Sequence, residues 1–229
     1  LQRELYIVDF ETIIDSKLGQ TAKNIANLFK EINSFTYPER TLILFDEIDA
    51  IALNRLDSND LREMGRATTS ILKGMDSLQD GVVLIATTNL FNAFDKALVR
   101  RFDAVIDFVV YTPDQARDRV YLFQNHTRQY IFISTVVVFN HENNFILNED
   151  SVQKNRLSKY GRDKAACEDV FNQAAKKGFP ITIVRPSQTY GFDRFPLSVK
   201  GKNCWSVVSR ILSDKPVIIH GDGQSIWHM

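Results

Sequence analysis

Arg100-Arg101-Phe102-Asp103-Ala104-Val105-Ile106-Asp107-Phe108 is the stretch on which the fold of this chain turns. A charged cluster, RRFD, follows Leu98-Val99 and gives way without a break to an apolar run, AVIDFVVY, over 104–111. Outward from that run, short β-branched segments recur: LYIVDF (5–10), TLILF (41–45), VVLIATT (82–88), YIFIST (130–135), ITIVR (181–185) and PVIIH (216–220). Their length and unbroken apolarity predict buried parallel strands. Between them, residues 21–32, 60–75, 113–124 and 157–177 carry apolar side chains at helical spacing, and Gly178-Phe179-Pro180 stops the last of these. Strands alternating with helices in this way give the α/β class. Residues 52–59 and 141–155 are the loose stretches, and no repeat or low-complexity segment is present.

Composition narrows the function classes. The 229 residues are 44% apolar, enough for a sizeable core in one large or two small domains. Twenty-eight basic residues balance twenty-eight acidic ones with no block of like charge, so nucleic acid and anionic membrane surfaces are not expected partners. Cys167 and Cys204 supply neither a disulfide framework nor metal spacing, and His126, His141, His220 and His228 are scattered. A reduced, cytoplasmic setting is expected. The longest apolar runs fall far short of the roughly 20 residues that span a bilayer, and no signal peptide opens the sequence. Both ends read as cuts through a domain, since residue 1 is not methionine and Trp227-His228-Met229 follows directly on a strand and turn.

Before the join, an apolar strand ends in Asp46-Glu47, which places two carboxylates at the carboxyl edge of the sheet, where open α/β folds bind ligands. Asp46 is suited to hold Mg²⁺ and Glu47 to orient an attacking water, because phosphoryl transfer needs charge neutralisation and positioning. The next strand ends in Thr87-Thr88-Asn89, bringing an amide to the same edge, and RRFD follows. As a set these motifs resemble the AAA family of P-loop ATPases over residues 4–103. The resemblance implies that Asp46 and Glu47 are the Walker B pair, Asn89 the first sensor, and Arg101 an arginine finger that reaches a neighbouring subunit's γ-phosphate. Three departures stand out. No G-x-x-x-x-G-K-[ST] loop occurs, and Gly201-Lys202 fails the pattern at Asn203. Ser16-Lys17-Leu18-Gly19 stands where many members carry an aromatic pore residue. The family's helical lid is also missing.

After the join, Tyr160 and Lys164 lie four residues apart on one helix face. A lysine so placed can favour the phenolate and donate to ribose hydroxyls, letting the tyrosine serve as acid or base despite an ordinary pKa of about 10. Alone this spacing is usually a pair of surface neighbours. Here Ser134-Thr135 ends a strand 25 residues earlier, and Arg185-Pro186-Ser187-Gln188-Thr189-Tyr190-Gly191 follows the helix. Together they resemble the extended short-chain dehydrogenase/reductase family, the NAD-dependent epimerase/dehydratase group that acts on sugar nucleotides, over residues 104–229. The resemblance implies Thr135 as hydroxyl partner, Tyr160 as acid/base, and Lys164 as partner of both tyrosine and ribose. Val136-Val137 stand where dehydratases carry an Asp-Glu pair, which disfavours dehydration, and Phe139-Asn140 replace the usual Tyr-Gly. The glycine fingerprint is absent: Gly221 and Gly223 fit its first positions, but Ile226 takes the third.

RRFD-AVIDF is readable in both families, so the crossover falls within equivalent strands. The expectation is a mostly parallel, Rossmann-like α/β architecture made of two partial domains, 1–103 and 104–229. A single composite sheet with helices mainly on one face is possible if the strands remain continuous. Strands that step in one direction, with right-handed crossovers, would leave the other sheet face apolar and bare. The expected function is that of a composite, fused or recombinant chain. It joins the hydrolysis half of an AAA ATPase to the catalytic half of an NAD-dependent sugar-nucleotide epimerase or reductase, and is weakly active or inactive alone. The alternatives are an NAD-dependent epimerase-like oxidoreductase or isomerase, an AAA ATPase subunit completed in trans, and a non-enzymatic interaction scaffold. The resemblances imply NAD(P) and Mg-ATP as cofactors, though neither phosphate loop is present. They imply as partners a second copy or complementing fragment, with a sugar nucleotide as substrate.

Overall fold

The computed structural model describes residues 2–15, 17, 19–50, 58–90, 96–140, 147–153, 155, 158–187, 189, 191 and 205–217, and the side chains of 58–64 are outside that description. Several sequence expectations therefore lie outside the described residues: Ser16 and Leu18, most of the loose stretch 52–59, Gln188 and Tyr190, Gly201 and Asn203, most of the strand at 216–220, and the turn at Gly221 and Gly223. Among the described residues no helix is long and apolar enough to cross a membrane.

The chain divides into two compact units, Leu1–Asp103 and Ala104–Met229. The first contains β1 (Glu4–Asp9), α1 (Gln20–Ile32), β2 (Thr41–Asp46), α2 (Ser58–Asp76), β3 (Val83–Ala86) and the one-turn α3 (Lys96–Val99). The second contains β4 (Ala104–Asp107), α4 (Pro113–Phe123), β5 (Gln129–Ile133), α5 (Lys159–Ala175), β6 (Ile181–Val184) and α6 (Trp205–Leu212). All strand pairs are parallel, in the orders β1-β2-β3 and β4-β5-β6. The α/β class holds, but the strands form two three-stranded sheets rather than one continuous one. Among the described residues β4 pairs with β5 alone.

In the first unit the core lies on one side of the sheet. Ile25, Phe29 and Ile32 of α1 and Ala67 and Ile71 of α2 pack with Ile43 and Phe45 of β2. Phe10 and Phe29 each meet the Phe45 ring edge-on, at 4.9 and 5.8 Å between centroids. The two helices pack closely because Gly74 lies against the Phe29 ring, where any Cβ would come within 2.1 Å of it. In the second unit the corresponding side gathers Tyr130, Phe132, Phe171 and Phe179, with ring centroids 4.9 to 6.2 Å apart.

The opposite sheet faces are aliphatic and open. In the first unit Leu5 and Ile7 lie in register with Leu42 and Leu44, and these with Val83 and Ile85; Ile7 is 63% exposed. In the second unit Ile106 of β4 is 56% exposed beside Ile131, and Val184 of β6 is exposed beside Ile133. Consecutive parallel strands stepping one way place both connecting helices on the same side, so the other face meets neither of them.

AVIDFVVY was expected to be a long strand, yet β4 stops at Asp107. The Asp107 carboxylate explains the stop. Its Oδ1 accepts from Val109 N–H at 2.8 Å, turning the chain out of the ladder. Its Oδ2 accepts from Arg119 Nε and from the Tyr130 hydroxyl, each at 2.7 Å. Asp107 and Arg119 are both buried, so each charge depends on the other for compensation.

Three outcomes test this architecture. Asp107→Ala is expected to cost about 3–5 kcal/mol of stability by stranding Arg119 in the interior, as read by chemical denaturation. Burial first, and the neighbouring Asp107 charge second, push the Tyr130 phenol well above its ordinary range. The unfolded chain then loses this proton near pH 10 while the folded chain keeps it, so stability contributed at neutral pH should fall as pH rises above about 10. Tyr130→Phe should flatten that alkaline limb. For the open faces, the folded protein is expected to bind an apolar-surface dye below its melting transition. A dye-silent, cooperatively melting monomer would contradict the exposed faces.

Candidate functional site

Each unit carries one cluster of candidate residues at the carboxyl ends of its strands. In the first, β2 ends at Asp46 and the backbone turns sharply at Glu47, which adopts a left-handed φ of 47°. A non-glycine residue holds that conformation at a cost of roughly 1–2 kcal/mol, so something must fix it. Thr87 does. Its hydroxyl donates to Asp46 Oδ1 at 2.6 Å and accepts from Glu47 N–H at 2.9 Å. Its own N–H donates to Phe45 O at 2.9 Å, and its carbonyl accepts from Ile48 N–H at 3.0 Å. Asp46, Glu47 and Asn89 are exposed at this edge. Thr87 was part of a quoted strand end in the sequence, but nothing there marked it as the clamp.

Arg101 points elsewhere. Its Nε and Nη2 donate to the two carboxylate oxygens of Asp76 at 2.8 and 2.7 Å, and Nη1 donates to Ala97 O at 2.8 Å. The guanidinium holds the Asp76 carboxyl below its usual pKa. Asp76, the last residue of α2, was not anticipated. A shallow groove lined by Gly19, Ala22, Gly65, Arg66, Thr69 and Ser70 contains none of the candidate residues.

Magnesium is held by one or two carboxylates together with substrate phosphates. The exposed Asp46 fits that role only with phosphate oxygens completing the shell. Among the described residues no group of three or more His, Cys, Asp or Glu side chains could hold a metal ion without them.

In the second unit, α5 begins at Lys159 under the Ser158 cap, whose hydroxyl accepts from Gly161 N–H at 3.1 Å. Gly161 lets the helix start press against the turn that follows β5, since a Cβ there would lie 2.4 Å from Val137 O. This approach sets Tyr160 and Lys164 beside the Thr135 turn. Thr135 is buried, and its Oγ1 accepts from Val137 N–H at 3.2 Å, so it caps the short turn Val136–Val138.

Lys164 is 1% exposed, and its Nζ donates to Ile133 O at 2.8 Å. Aromatic rings surround the ammonium: Phe132 at 4.6 Å, Tyr111 at 4.9 Å and Tyr160 at 6.0 Å from Nζ to centroid. Burial lowers the Lys164 pKa. The Tyr160 phenol is raised, by burial first and by Tyr111 second, where a facing lysine was expected to lower it. Lys164 lies over the Tyr160 ring and spends a donor on the Ile133 carbonyl. The sequence pairing of Tyr160 with Lys164 is thus met in space, but not in its electrostatic consequence. Because the ammonium is sealed behind rings, its donors as they stand do not fit a ribose diol.

Beneath this cluster lies a pair the sequence did not suggest. Glu168 is fully buried and receives Arg185 through Nε at 3.0 and 3.1 Å and Nη2 at 2.7 Å, while the Ser134 hydroxyl also donates to Oε1. Arg185 lies over the Phe139 ring at 5.0 Å. Glu168 sits one turn beyond Lys164, the spacing that could have flagged it. Cys167, also buried, has its thiol pushed up to about 11 by desolvation.

Residues 1–110 match the family model described as "ATPase family associated with various cellular activities (AAA)", and residues 120–228 match that of the NAD dependent epimerase/dehydratase family. The two matches fall on different parts of the chain, each covering a little under half of it. An uncharacterized AAA family ATPase, y4kL, of Sinorhizobium fredii is 39% identical over 104 residues, covering 45% of this chain and 30% of that protein. The proteasome-activating nucleotidase of Methanoregula boonei is 32% identical over 130 residues, covering 54% of this chain and 28% of its own. The chain thus spans about a third of the length of the curated relatives it matches. Among solved structures, a UDP-glucuronic acid 4-epimerase from Bacillus cereus, in complex with UDP-glucuronic acid and NAD, aligns at 19% identity with a TM-score of 0.47. That alignment covers 86% of this chain and 62% of the other.

The role of Gly161 in bringing α5 to the Thr135 turn is open to a direct check. Gly161→Ala is expected to lower stability by about 1–3 kcal/mol, since backbone at Val137 must give way. Denaturant titration reads the loss, and an unchanged midpoint would remove the close approach from the design of the site.

Proposed function

We propose that the chain is a composite of an AAA-like segment and an epimerase-like segment, with little or no turnover of its own. The observation that carries this reading is the pairing at the join. β4 lies within the AAA match and β5 within the epimerase match, yet they pair in register from Ala104↔Gln129 to Asp107↔Phe132. The second sheet is itself composite. The Asp107–Arg119–Tyr130 cluster supports the same reading, because its members come from one match, the interval between the matches, and the other.

Both candidate centres retain side chains suited to chemistry without the geometry that would use them. On the AAA-like side, Asp46 and Glu47 stand ready at the sheet edge to take up a magnesium-bound phosphate. Arg101, the candidate finger, is held by Asp76 of its own unit. On the epimerase-like side, Tyr160 is available as a proton donor or acceptor, whereas Lys164 faces rings and a backbone carbonyl. A second copy or a complementing fragment that covers the open sheet faces belongs to this reading as the expected partner.

The test uses the purified chain with millimolar nucleotide. The expected result is neither Mg-ATP hydrolysis nor specific NAD(H) binding. Hydrolysis that disappears in Glu47→Gln would overturn the reading in favour of an ATPase. NAD(H) binding that disappears in the Tyr160→Phe, Lys164→Ala double variant would overturn it in favour of an epimerase-like enzyme.

A further inference from the structure

The open face of the first sheet ends in acid. Side chains sharing this face run Leu5, Ile7, Asp9 along β1 and Leu42, Leu44, Asp46 along β2, each in register with its neighbour. Val83 and Ile85 of β3 extend the two aliphatic rows. Asp9 and Asp46, both exposed, form a third row of carboxylates at the carboxyl edge. Parallel sheets are ordinarily covered on both faces, so two bare aliphatic rows make a surface suited to a helix.

Helix α6 has the opposite deficiency. Trp205, Val208, Ile211 and Leu212 recur at helical spacing along one side, yet Val207 is the one buried residue of the eight. Trp205 is half exposed, Ile211 58% and Leu212 75%. The surrounding sequence is cationic. Arg194, Lys200, Lys202 and Arg210 lie between Asp193 and Asp214 with no carboxylate among them, and Lys215 follows.

The chain is neutral only as a whole. Its first unit carries sixteen acidic against twelve basic residues, and its second sixteen basic against twelve acidic. In the second unit the open rows pair Ile106 with Ile131 and Ile133 with Val184, without an acidic residue in them. Two copies of α6 laid against each other would bring like charge together. The acid-edged face of the first sheet meets both the apolar side of α6 and its cations. The lengths also agree: eight helical residues rise about 12 Å, and a strand advances about 13 Å from Leu5 to Asp9.

We propose that the open face of the first sheet is a docking surface for α6 of a second copy of this chain. Trp205, Val208, Ile211 and Leu212 lie on the aliphatic rows, and the flanking cations lie towards Asp9 and Asp46. The contact is heterologous, helix of one copy on sheet of the other. It rests on the part of the proposed function that expects a second copy over the open faces, and is independent of the expected lack of turnover, which the nucleotide assays read separately.

Sedimentation velocity of the full-length chain, from micromolar to sub-millimolar concentration, tests the contact. The expected result is concentration-dependent association that weakens as salt rises, because exposed charges at the edge of the contact are screened. Ile7→Lys on the face and Leu212→Lys on the helix should each weaken self-association about tenfold or more, since each puts a charge at the centre of the contact. An equimolar mixture of the two variants should associate again, because one brings an intact helix and the other an intact face. In that mixture the doubly substituted pairing sets lysine against lysine, so only the proposed contact can form.

Both substituted residues are exposed, so neither change empties a core. A denaturant midpoint equal to that of the unsubstituted chain checks folding, and Ile85→Lys on the same face decides where Ile7→Lys fails that check. A chain that stays monomeric throughout, association indifferent to salt, or variants that do not complement each other would overturn the proposal. Association lost in Ile7→Lys but kept in Leu212→Lys would leave a second copy on the face and remove α6 as its occupant.

Discussion

A single carboxylate holds the second unit to its chosen sheet. Asp107 ends β4, turns the chain through Val109, neutralises Arg119 from α4 and receives the hydroxyl of Tyr130 from β5. A buried charge is tolerated only when paired and hydrogen-bonded, and here both carboxylate oxygens are used. The cluster therefore does more than stabilise. It fixes where β4 stops, where α4 begins relative to the strand, and how Tyr130 enters the aromatic core with Phe171 and Phe179. Asp107 also lies near enough to Lys164 to favour its charged form, so the cluster that closes the join reaches the candidate site.

Parallel β-structure explains the remaining architecture. Three parallel strands in sequence order need two crossovers, and a uniform hand puts both helices on one side. Each unit accordingly builds half of a doubly wound layer structure. The residues of the open faces, Ile7, Ile85 and Ile106 among them, carry side chains suited to a core that the unit does not complete. In the second unit, tight local packing persists all the same, with Gly161 against Val137 and Glu168 locked by Arg185.

The strands and helices were legible because their signals are local: β-branched runs for β1, β2, β3, β5 and β6, and helical spacing for α1, α2, α4 and α5. β4 was predicted too long, because its end depends on a contact between Asp107 and residues 12 and 23 positions away. The two candidate residue patterns could be picked out for the same reason, since Asp46-Glu47 and Tyr160…Lys164 are short-range patterns. The clamp at Thr87, the Asp76 partner of Arg101, the Glu168–Arg185 pair and the Tyr111 ring were not. Each is a tertiary meeting of residues that carry no special spacing. The direction of the Tyr160 shift belongs to the same class: adjacency on a helix was readable, but the burial that outweighs it was not.

The Arg101–Asp76 pair carries one further consequence. Both side chains are accessible to water, at 28% and 56% of their surface. An accessible ion pair is screened by dissolved salt over a Debye length of about 8–10 Å. The freedom of Arg101 to leave its own helix bundle is therefore set by the ionic strength of its surroundings as well as by this sequence. Any acceptor that would draw it outward competes with a bidentate carboxylate that is always at hand. Dilute solution favours the resident partner, and concentrated electrolyte loosens its hold.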